Sequence, residues 1–198
     1  INYFWPILLT IMLAVFTRQS IAAVKYIGMG VSFAGVVLIS LGPGSLTGEN
    51  ISVTGILLAF FSAFIWAFFW LLNKKNPQTD NTVNLFAGFL FGLIYLLIGT
   101  LFVEINLNST KGMIAGIYSG LFEMAIPFIF FGLALRKTNN SVLINQLCYL
   151  SPFLSLFFIH FILGEKIYLT TIIGLILIVA GILFNEYLAN KLSRRHSS

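Results

Sequence analysis

Glu123 is an acidic residue near the middle of segment 112–135, which is apolar and long enough to cross a lipid bilayer. An ionised carboxyl at that depth costs about 2.5 kcal/mol or more, so the side chain must be protonated, paired or in contact with water. One interpretation is a carboxylate that faces a cavity, where it binds the ammonium group of a substrate or carries a coupling proton. The alternative is a structural carboxyl that is hydrogen-bonded between helices.

Further residues share a helical face with Glu123 by their spacing: Gly112, Gly116, Gly120 and Pro127. Small residues four apart let a neighbouring helix approach closely, so we expect these glycines to make helix contacts. Gly88 and Gly92 form a similar pair with the same expectation. Pro127 removes one backbone hydrogen bond and leaves a carbonyl free, which either lines a cavity or only marks a kink.

A polar stripe runs along another apolar segment, 142–163, at positions i, i+4 and i+7: Asn145, Tyr149 and Pro152. A matching set lies near the start of the chain: Tyr3, Pro6 and Thr10. Two proline-containing helices that carry polar side chains predict a binding site inside the protein, with the prolines kinking the helices or opening a cavity. The alternative is ordinary helix packing with a tyrosine at the membrane interface.

Trp66 lies in the middle of segment 52–73, with Ser62 and Asn73 on its helical face. Tryptophan usually occupies the membrane interface, so a position at mid-depth is unusual. The indole either forms the wall of a cavity and stacks on a substrate, or it packs in the protein core.

Patterns typical of catalysis are missing from the sequence. No Ser-His-Asp set, pair of carboxylates or glycine-rich phosphate loop is present, and the single cysteine, Cys148, excludes a zinc site built from cysteines. We therefore predict a protein that is not an enzyme, with no catalytic residue, metal or cofactor.

The composition favours a membrane protein. Of the 198 residues 59% are hydrophobic and only 9% are charged, whereas soluble domains carry about 25% charged residues. These proportions exclude a soluble enzyme, a nucleic-acid-binding domain and a disordered chain. The lipid bilayer is the expected surrounding, and no nucleic-acid partner is expected in spite of the net charge of +5.

Long apolar runs separated by short loops predict an all-α polytopic membrane protein. The expected spans are 1–16, 26–42, 52–73, 84–103, 112–135, 142–163 and 171–188. Strands are not expected, because the apolar runs are long and do not alternate with polar residues.

The distribution of the basic residues predicts the orientation of every span. If the first span runs from outside to inside, nine of the 11 Lys and Arg residues are cytoplasmic, and only Lys111 and Lys166 lie outside. The C-terminus is then cytoplasmic.

The sequence is similar to itself at an offset of 146 residues, which aligns Tyr3 with Tyr149 and Pro6 with Pro152. The repeat unit would contain five helices. A unit with an odd number of helices places its two copies in opposite orientations in the membrane. We expect residues 1–42 to be the last two helices of a first repeat that lacks its N-terminal helices, 52–188 a complete second repeat, and 189–198 a basic cytoplasmic tail. The missing helices would be partners of this part of the chain.

Several strings resemble the EamA-type branch of the drug/metabolite transporter superfamily, from its fourth to its tenth helix. They are Asn-Tyr-Phe-Trp-Pro at 2–6, Ala-Phe-Ile-Trp-Ala at 63–67, Tyr-Leu-Ser-Pro at 149–152 and Gly-Glu-Lys at 164–166. The first two are most similar to the bacterial aromatic amino acid exporters. The chain departs from the pattern at Arg18-Gln19, where Gly-Glu is common, and at Glu123, where those exporters carry a neutral residue.

The resemblance implies a secondary transporter in the bacterial inner membrane that exports small organic metabolites such as amino acids. Alternating access around a cavity at the bilayer midplane would then use Glu123, Asn145, Tyr149, Trp66 and Tyr3 for substrate binding. The alternatives are a seven-helix receptor or sensor without transport and, less well supported, a membrane-embedded enzyme.

Overall fold

The computed structural model describes residues 2–17, 21–40, 53–102, 109–164 and 167–196. Throughout these ranges the regular structure is helical. In chain order the α-helices are α1 (Trp5–Phe16), α2 (Val24–Ser40), α3 (Val53–Lys75), α4 (Asn81–Gly99), α5 (Thr110–Tyr118), α6 (Ile126–Lys137), α7 (Ser141–Leu147), α8 (Ser151–Leu163) and α9 (Leu169–His196). The predicted all-α class is confirmed.

Within the described ranges, seven apolar helical segments match the seven predicted spans. Helices long and apolar enough to cross a membrane cover Val53–Lys75, Asn81–Gly99, Thr110–Lys137, Ser141–Ile162 and Leu169–Tyr187. The two shorter ones are α1 and α2. Across the seven segments many Phe, Leu and Ile side chains are exposed, which suits contact with lipid.

Three of the expected spans are interrupted where the sequence suggested continuous helix. A 3-10 turn covers Asn2–Phe4, a second covers Cys148–Leu150, and a π-helical turn covers Ser119–Ala125. Each is followed by an α-helix with a proline in its first turn, and the missing proline N–H interrupts the backbone hydrogen bonds of the span at that point. The prolines at 6, 127 and 152 therefore begin α-helical segments after a change of hydrogen-bond register.

Polar turn residues fix the helix ends. The Asp80 carboxylate accepts a hydrogen bond of 2.7 Å from the Thr82 amide and caps α4. This bond, with further hydrogen bonds from Thr82 and Val83 and the nearby Arg136 charge, holds the pKa of Asp80 below its usual range. Gly164 ends α8 with φ of 69°, a left-handed conformation that glycine adopts without strain.

Some sequence expectations fall on residues outside the described ranges. These are the boundary between the two repeats at 42–52, the Arg18-Gln19 turn and the Glu165-Lys166 pair. Helix α9 continues to His196, through most of the segment expected to be a separate tail.

The chain divides into two compact units. Unit 1 contains Ile1–Leu71 and Asn139–Ser198, and unit 2 contains Leu72–Thr138. Unit 1 is organised around α2 and α9, which share the most extensive contact between elements. Its core includes Val36, Ile39, Tyr149 and Ile178.

Glycines bring α2 and α9 into backbone contact. A Cβ on Gly35 would overlap the carbonyl oxygen of Gly174, and a Cβ on Gly181 would overlap the carbonyl oxygen of Gly28. These pairs show that the two helices run antiparallel, because the residue numbers rise along α2 as they fall along α9. Such a close approach is possible only where both helices carry small residues.

We expect Gly35→Ala to destabilise unit 1, because the new methyl group meets the backbone of α9 and cannot be relieved by a side-chain rotation. Overpacking of this kind costs about 1–3 kcal/mol. Gly30→Ala is the matched control, since a Cβ at Gly30 on the same helix meets nothing within 4 Å. The melting temperature of the detergent-solubilised protein should fall for the first variant only, and equal melting temperatures would contradict the packing described.

Unit 2 is held together near the C-terminal ends of α3 and α6. The Asn81 amide donates to the Ile129 carbonyl at 3.1 Å and lies against Gly132. Arg136 donates from Nε to Asn73 Oδ1 at 2.8 Å and from Nη1 to the Thr79 carbonyl at 2.6 Å. The sequence indicated Arg136 only as an orientation charge, and the structure adds that it ties α6 to α3 and to the loop before α4.

Candidate functional site

Asn145 and Thr10 meet in the core of unit 1, although 135 residues separate them in the chain. The Asn145 amide nitrogen donates to Thr10 Oγ1 at 2.8 Å, and the Thr10 hydroxyl donates to the Pro6 carbonyl at 2.9 Å. Both side chains are fully buried. Two polar sets predicted separately from the sequence are therefore joined by a direct hydrogen bond.

Tyr149 lies on the 3-10 turn between α7 and α8 and is also fully buried. Tyr3 is half-buried and packs against the cluster of Val36, Ile39, Tyr149 and Ile178. The structure thus places Tyr3 beside the cluster that contains Tyr149, and its role in substrate binding stays a prediction. Pro152 lies in the first turn of α8, directly after this 3-10 turn.

Asn145 and Tyr149 each have one buried polar atom without a hydrogen-bond partner among the described residues. These atoms are Asn145 Oδ1 and the Tyr149 hydroxyl oxygen. Leaving a buried polar group unpaired costs about 1–3 kcal/mol, so such groups are rare and call for a reason. Here both atoms belong to the polar stripe of segment 142–163, for which a binding site is one of the two interpretations of the sequence. The Asn145 oxygen can accept a hydrogen bond from a ligand that enters this part of unit 1, and the Tyr149 hydroxyl can donate or accept one.

A second buried polar network lies beside this pair and was largely missed by sequence reasoning. Gln146 Nε2 donates to Ser32 Oγ at 2.9 Å and to the Gly28 carbonyl at 3.1 Å. Asn185 Nδ2 donates to Gln146 Oε1 at 2.7 Å and to the Lys25 carbonyl at 2.9 Å. Gly28 has no Cβ, which leaves the space that the Asn185 side chain occupies. Apart from Asn185 Oδ1, the side-chain N and O atoms of these three residues are paired, so the network serves packing of α2, α7 and α9.

We expect Ser32→Ala to lower stability more than Ser40→Ala. The Ser32 hydroxyl joins helices, donating to the Ile178 carbonyl at 3.1 Å and accepting from Gln146, whereas the Ser40 hydroxyl bonds only within α2. Interhelical hydrogen bonds in membrane proteins contribute about 0.6 kcal/mol on average and about 1.7 kcal/mol at most. Thermal unfolding of both variants in the same detergent checks the order, and a larger loss for Ser40→Ala would be inconsistent with the network.

Trp66 belongs to an aromatic cluster on α3 in unit 1. Its ring stacks on Phe69 with centroids 5.8 Å apart and meets Trp70 edge-on at 6.0 Å. The side chain is half-buried. Its predicted role as a wall for a substrate stays a prediction, since the described contacts are those of aromatic packing.

Glu123 belongs to unit 2 and lies in the π-helical turn between α5 and α6. Its side chain is exposed. The glycines expected to make helix contacts near it lie in open space within the described part of the chain, since a Cβ on Gly92, Gly116 or Gly120 would meet nothing within 4 Å. A Cβ on Gly112 would meet only the side chain of Ser109, and Gly88 is exposed. Their contact role remains a prediction.

A groove of about 220 Å³ runs between α2 and α9 on unit 1. It is lined by Ile27, Gly28, Val31, Ala180, Gly181 and Phe184. An apolar lining of this kind suits a hydrocarbon chain better than a polar metabolite. The polar pair of Asn145 and Tyr149 is therefore the stronger candidate site in unit 1.

Comparison with known proteins adds independent information. A model of the EamA-like transporter family matches residues 53–187. An uncharacterized transporter of Clostridium kluyveri is 27% identical over 185 residues, which cover 88% of this chain and 57% of the relative. No solved structure is significantly similar.

Two proteins of Bacillus subtilis are also similar. The uncharacterized transporter YvbV is 28% identical over 186 residues, which cover 92% of this chain and 60% of the relative. The uncharacterized transporter YdfC is 25% identical over 192 residues, which cover 96% of this chain and 61% of the relative. The chain thus spans about three fifths of the length of the curated relatives it matches.

Proposed function

The chain belongs to the EamA-like transporter family, and from this premise we propose that it acts in secondary transport, as an exporter of small organic metabolites such as amino acids. The family match favours this function over a seven-helix receptor or a membrane-embedded enzyme. The names of the relatives specify no substrate, so the aromatic amino acid branch stays a hypothesis based on the strings at 2–6 and 63–67.

One observation supports placing the substrate site in unit 1. Asn145 Oδ1 and the Tyr149 hydroxyl are buried on the interrupted helix α7–α8 and have no hydrogen-bond partner among the described residues. Interrupted helices at a repeat interface are where secondary transporters bind their substrates. In the proposed mechanism, opening of unit 1 exposes these two groups, and a polar substrate pairs with them.

The proposed inverted repeat is supported by the geometry of unit 1. The 3-10 turn at Asn2–Phe4 and the one at Cys148–Leu150 are 146 residues apart, and so are the first residues of α1 and α8. The Ser32 hydroxyl also bonds the carbonyl of Ile178, which lies 146 residues later. Under this offset the contact of Gly28 with Gly181 becomes the contact of Gly174 with Gly35. A two-fold axis between antiparallel helices explains all four correspondences, and it would lie in the membrane plane.

The proposal also includes the orientation of the protein in the membrane. Nine of the 11 basic residues lie on one side if the C-terminus is cytoplasmic, as the positive-inside rule requires in a bacterial inner membrane. The two inverted halves of the whole protein would then alternate between inward-open and outward-open states.

Export from cells tests the proposed function. Cells that express the whole protein and cells with an empty vector are loaded with labelled amino acids and amines, and the medium is analysed by mass spectrometry over time. We expect faster appearance of one chemical class of solute with the protein present. Identical export of every solute tested, at verified membrane expression, would count against the proposal.

A further inference from the structure

Glu123 is an acidic residue at mid-membrane depth. It lies near the centre of the candidate span Thr110–Lys137. No described residue gives its side chain a hydrogen bond or an ion pair. The Lys and Arg residues of unit 2 that the structure describes all lie at helix ends: Lys74, Lys75, Lys111, Arg136 and Lys137. Lys111, the basic residue nearest in sequence, is about 18 Å away along the helix at 1.5 Å per residue.

The backbone around Glu123 supplies a second oxygen. In the π-helical turn the Ile126 amide donates to the Leu121 carbonyl, five residues back. Pro127 follows and has no N–H, so one carbonyl of this turn, at Phe122 or Glu123, lacks its helical donor. An unpaired carbonyl in the bilayer costs several kcal/mol unless it meets a partner. Turns of this kind are frequent at functional sites.

The turn therefore carries a carboxyl side chain and, at Phe122 or Glu123, a backbone carbonyl without a helical donor. Oxygen ligands of these two kinds coordinate small cations and accept hydrogen bonds from ammonium groups. Open space lies next to the turn, since nothing among the described residues is within 4 Å of a Cβ on Gly120 or Gly116. Aromatic rings at Tyr118 and Phe122, 5.1 Å apart, lie on the same stretch.

We propose that Glu123 and the freed carbonyl of its turn form a binding site for a compact monovalent cation, which is either the ammonium group of the transported substrate or an alkali-metal ion. The inference rests on the proposed transport function, because the cation neutralises a charge that would otherwise be costly within the membrane. It assigns Pro127 a role in exposing an oxygen ligand.

Cation-dependent thermal stability of the purified whole protein in detergent tests this site. NaCl, KCl and methylammonium chloride are titrated separately, with N-methylglucamine chloride keeping the ionic strength constant. We expect at least one of the small cations to raise the melting temperature by a few degrees in a saturable manner. A response to Na⁺ or K⁺ identifies an ion site, and a response to methylammonium identifies a site for the substrate amine.

Variants separate the site from general salt effects. Glu123→Gln should abolish the response, and Pro127→Ala should weaken the apparent affinity about tenfold, because alanine returns an N–H to the carbonyl. Glu186→Gln is the matched control, since Glu186 belongs to unit 1 and accepts a hydrogen bond from Asn140 at 2.7 Å. A full response in Glu123→Gln, or no difference between small cations and N-methylglucamine in the parent protein, would overturn the inference. Export measured in cells remains the separate test of transport, so either proposal can fail without the other.

Discussion

Tyr149→Phe is expected to reduce transport about tenfold while leaving the stability of the protein unchanged or slightly higher. The Tyr149 hydroxyl has no hydrogen-bond partner among the described residues, so its removal costs no internal bond and relieves an unpaired buried group. If the hydroxyl pairs with substrate, the loss of one hydrogen bond of about 1.4 kcal/mol corresponds to a factor of ten in affinity or rate. Initial rates of export and the melting temperature, measured on the same preparation, check both parts.

Tyr95→Phe is the matched control for this experiment, because Tyr95 is 74% exposed on α4 in unit 2. It should change neither transport nor stability. A purely structural Tyr149 hydroxyl predicts the reverse pattern, with a lower melting temperature and an unchanged transport rate. That pattern would remove Tyr149 from the proposed site.

Glu123→Gln is expected to reduce transport about a hundredfold. Hydrogen bonds to a charged group contribute about 1.5–3 kcal/mol, and the loss of an interaction near the upper end of this range lowers a rate about a hundredfold. Glu123→Asp should retain part of the activity, since it keeps the charge and shortens the side chain. The measurement is the initial rate of export at equal amounts of protein in the membrane.

The control for this variant is again Glu186→Gln, which keeps an oxygen that can accept the hydrogen bond from Asn140. It should transport at the parent rate. If Glu123 is only a structural carboxyl between helices, Glu123→Gln will keep the hydrogen bond and transport normally, and the carboxyl will have no place in the mechanism.

Much of the fold follows from the sequence. Long apolar runs separated by polar residues and glycines predict the spans. In the structure Asp80 and Asn140 cap the starts of helices, and Gly164 ends one. The π-helical turn at Ser119–Ala125 was not predicted. An apolar helix carries little sequence signal for its hydrogen-bond register, and Pro127 indicates only that some carbonyl loses its donor.

The candidate site was predicted in part. The spacing of Asn145 and Tyr149 placed both on one stripe, and the structure buries both completely. The network through Ser32 and Asn185 was not predicted, since a single small polar residue on an apolar helix does not reveal its partner on another helix. The contact of Gly35 with the backbone of α9 was not predicted either, because spacing within one helix does not name its partner helix. The contact expected at Gly116 stays a prediction, since Gly116 has no near neighbour among the described residues.

Substrate exchange in proteoliposomes tests the central claim most directly. Vesicles that contain the whole protein are loaded with the solute class identified by the export screen, and the uptake of labelled external solute is followed for the parent, Gly30→Ala and the double variant Asn145→Ala/Tyr149→Phe. The account predicts rapid exchange for the parent and for Gly30→Ala, and at least a tenfold slower rate for the double variant at equal reconstitution. Equal exchange by all three proteins would contradict a substrate site at Asn145 and Tyr149.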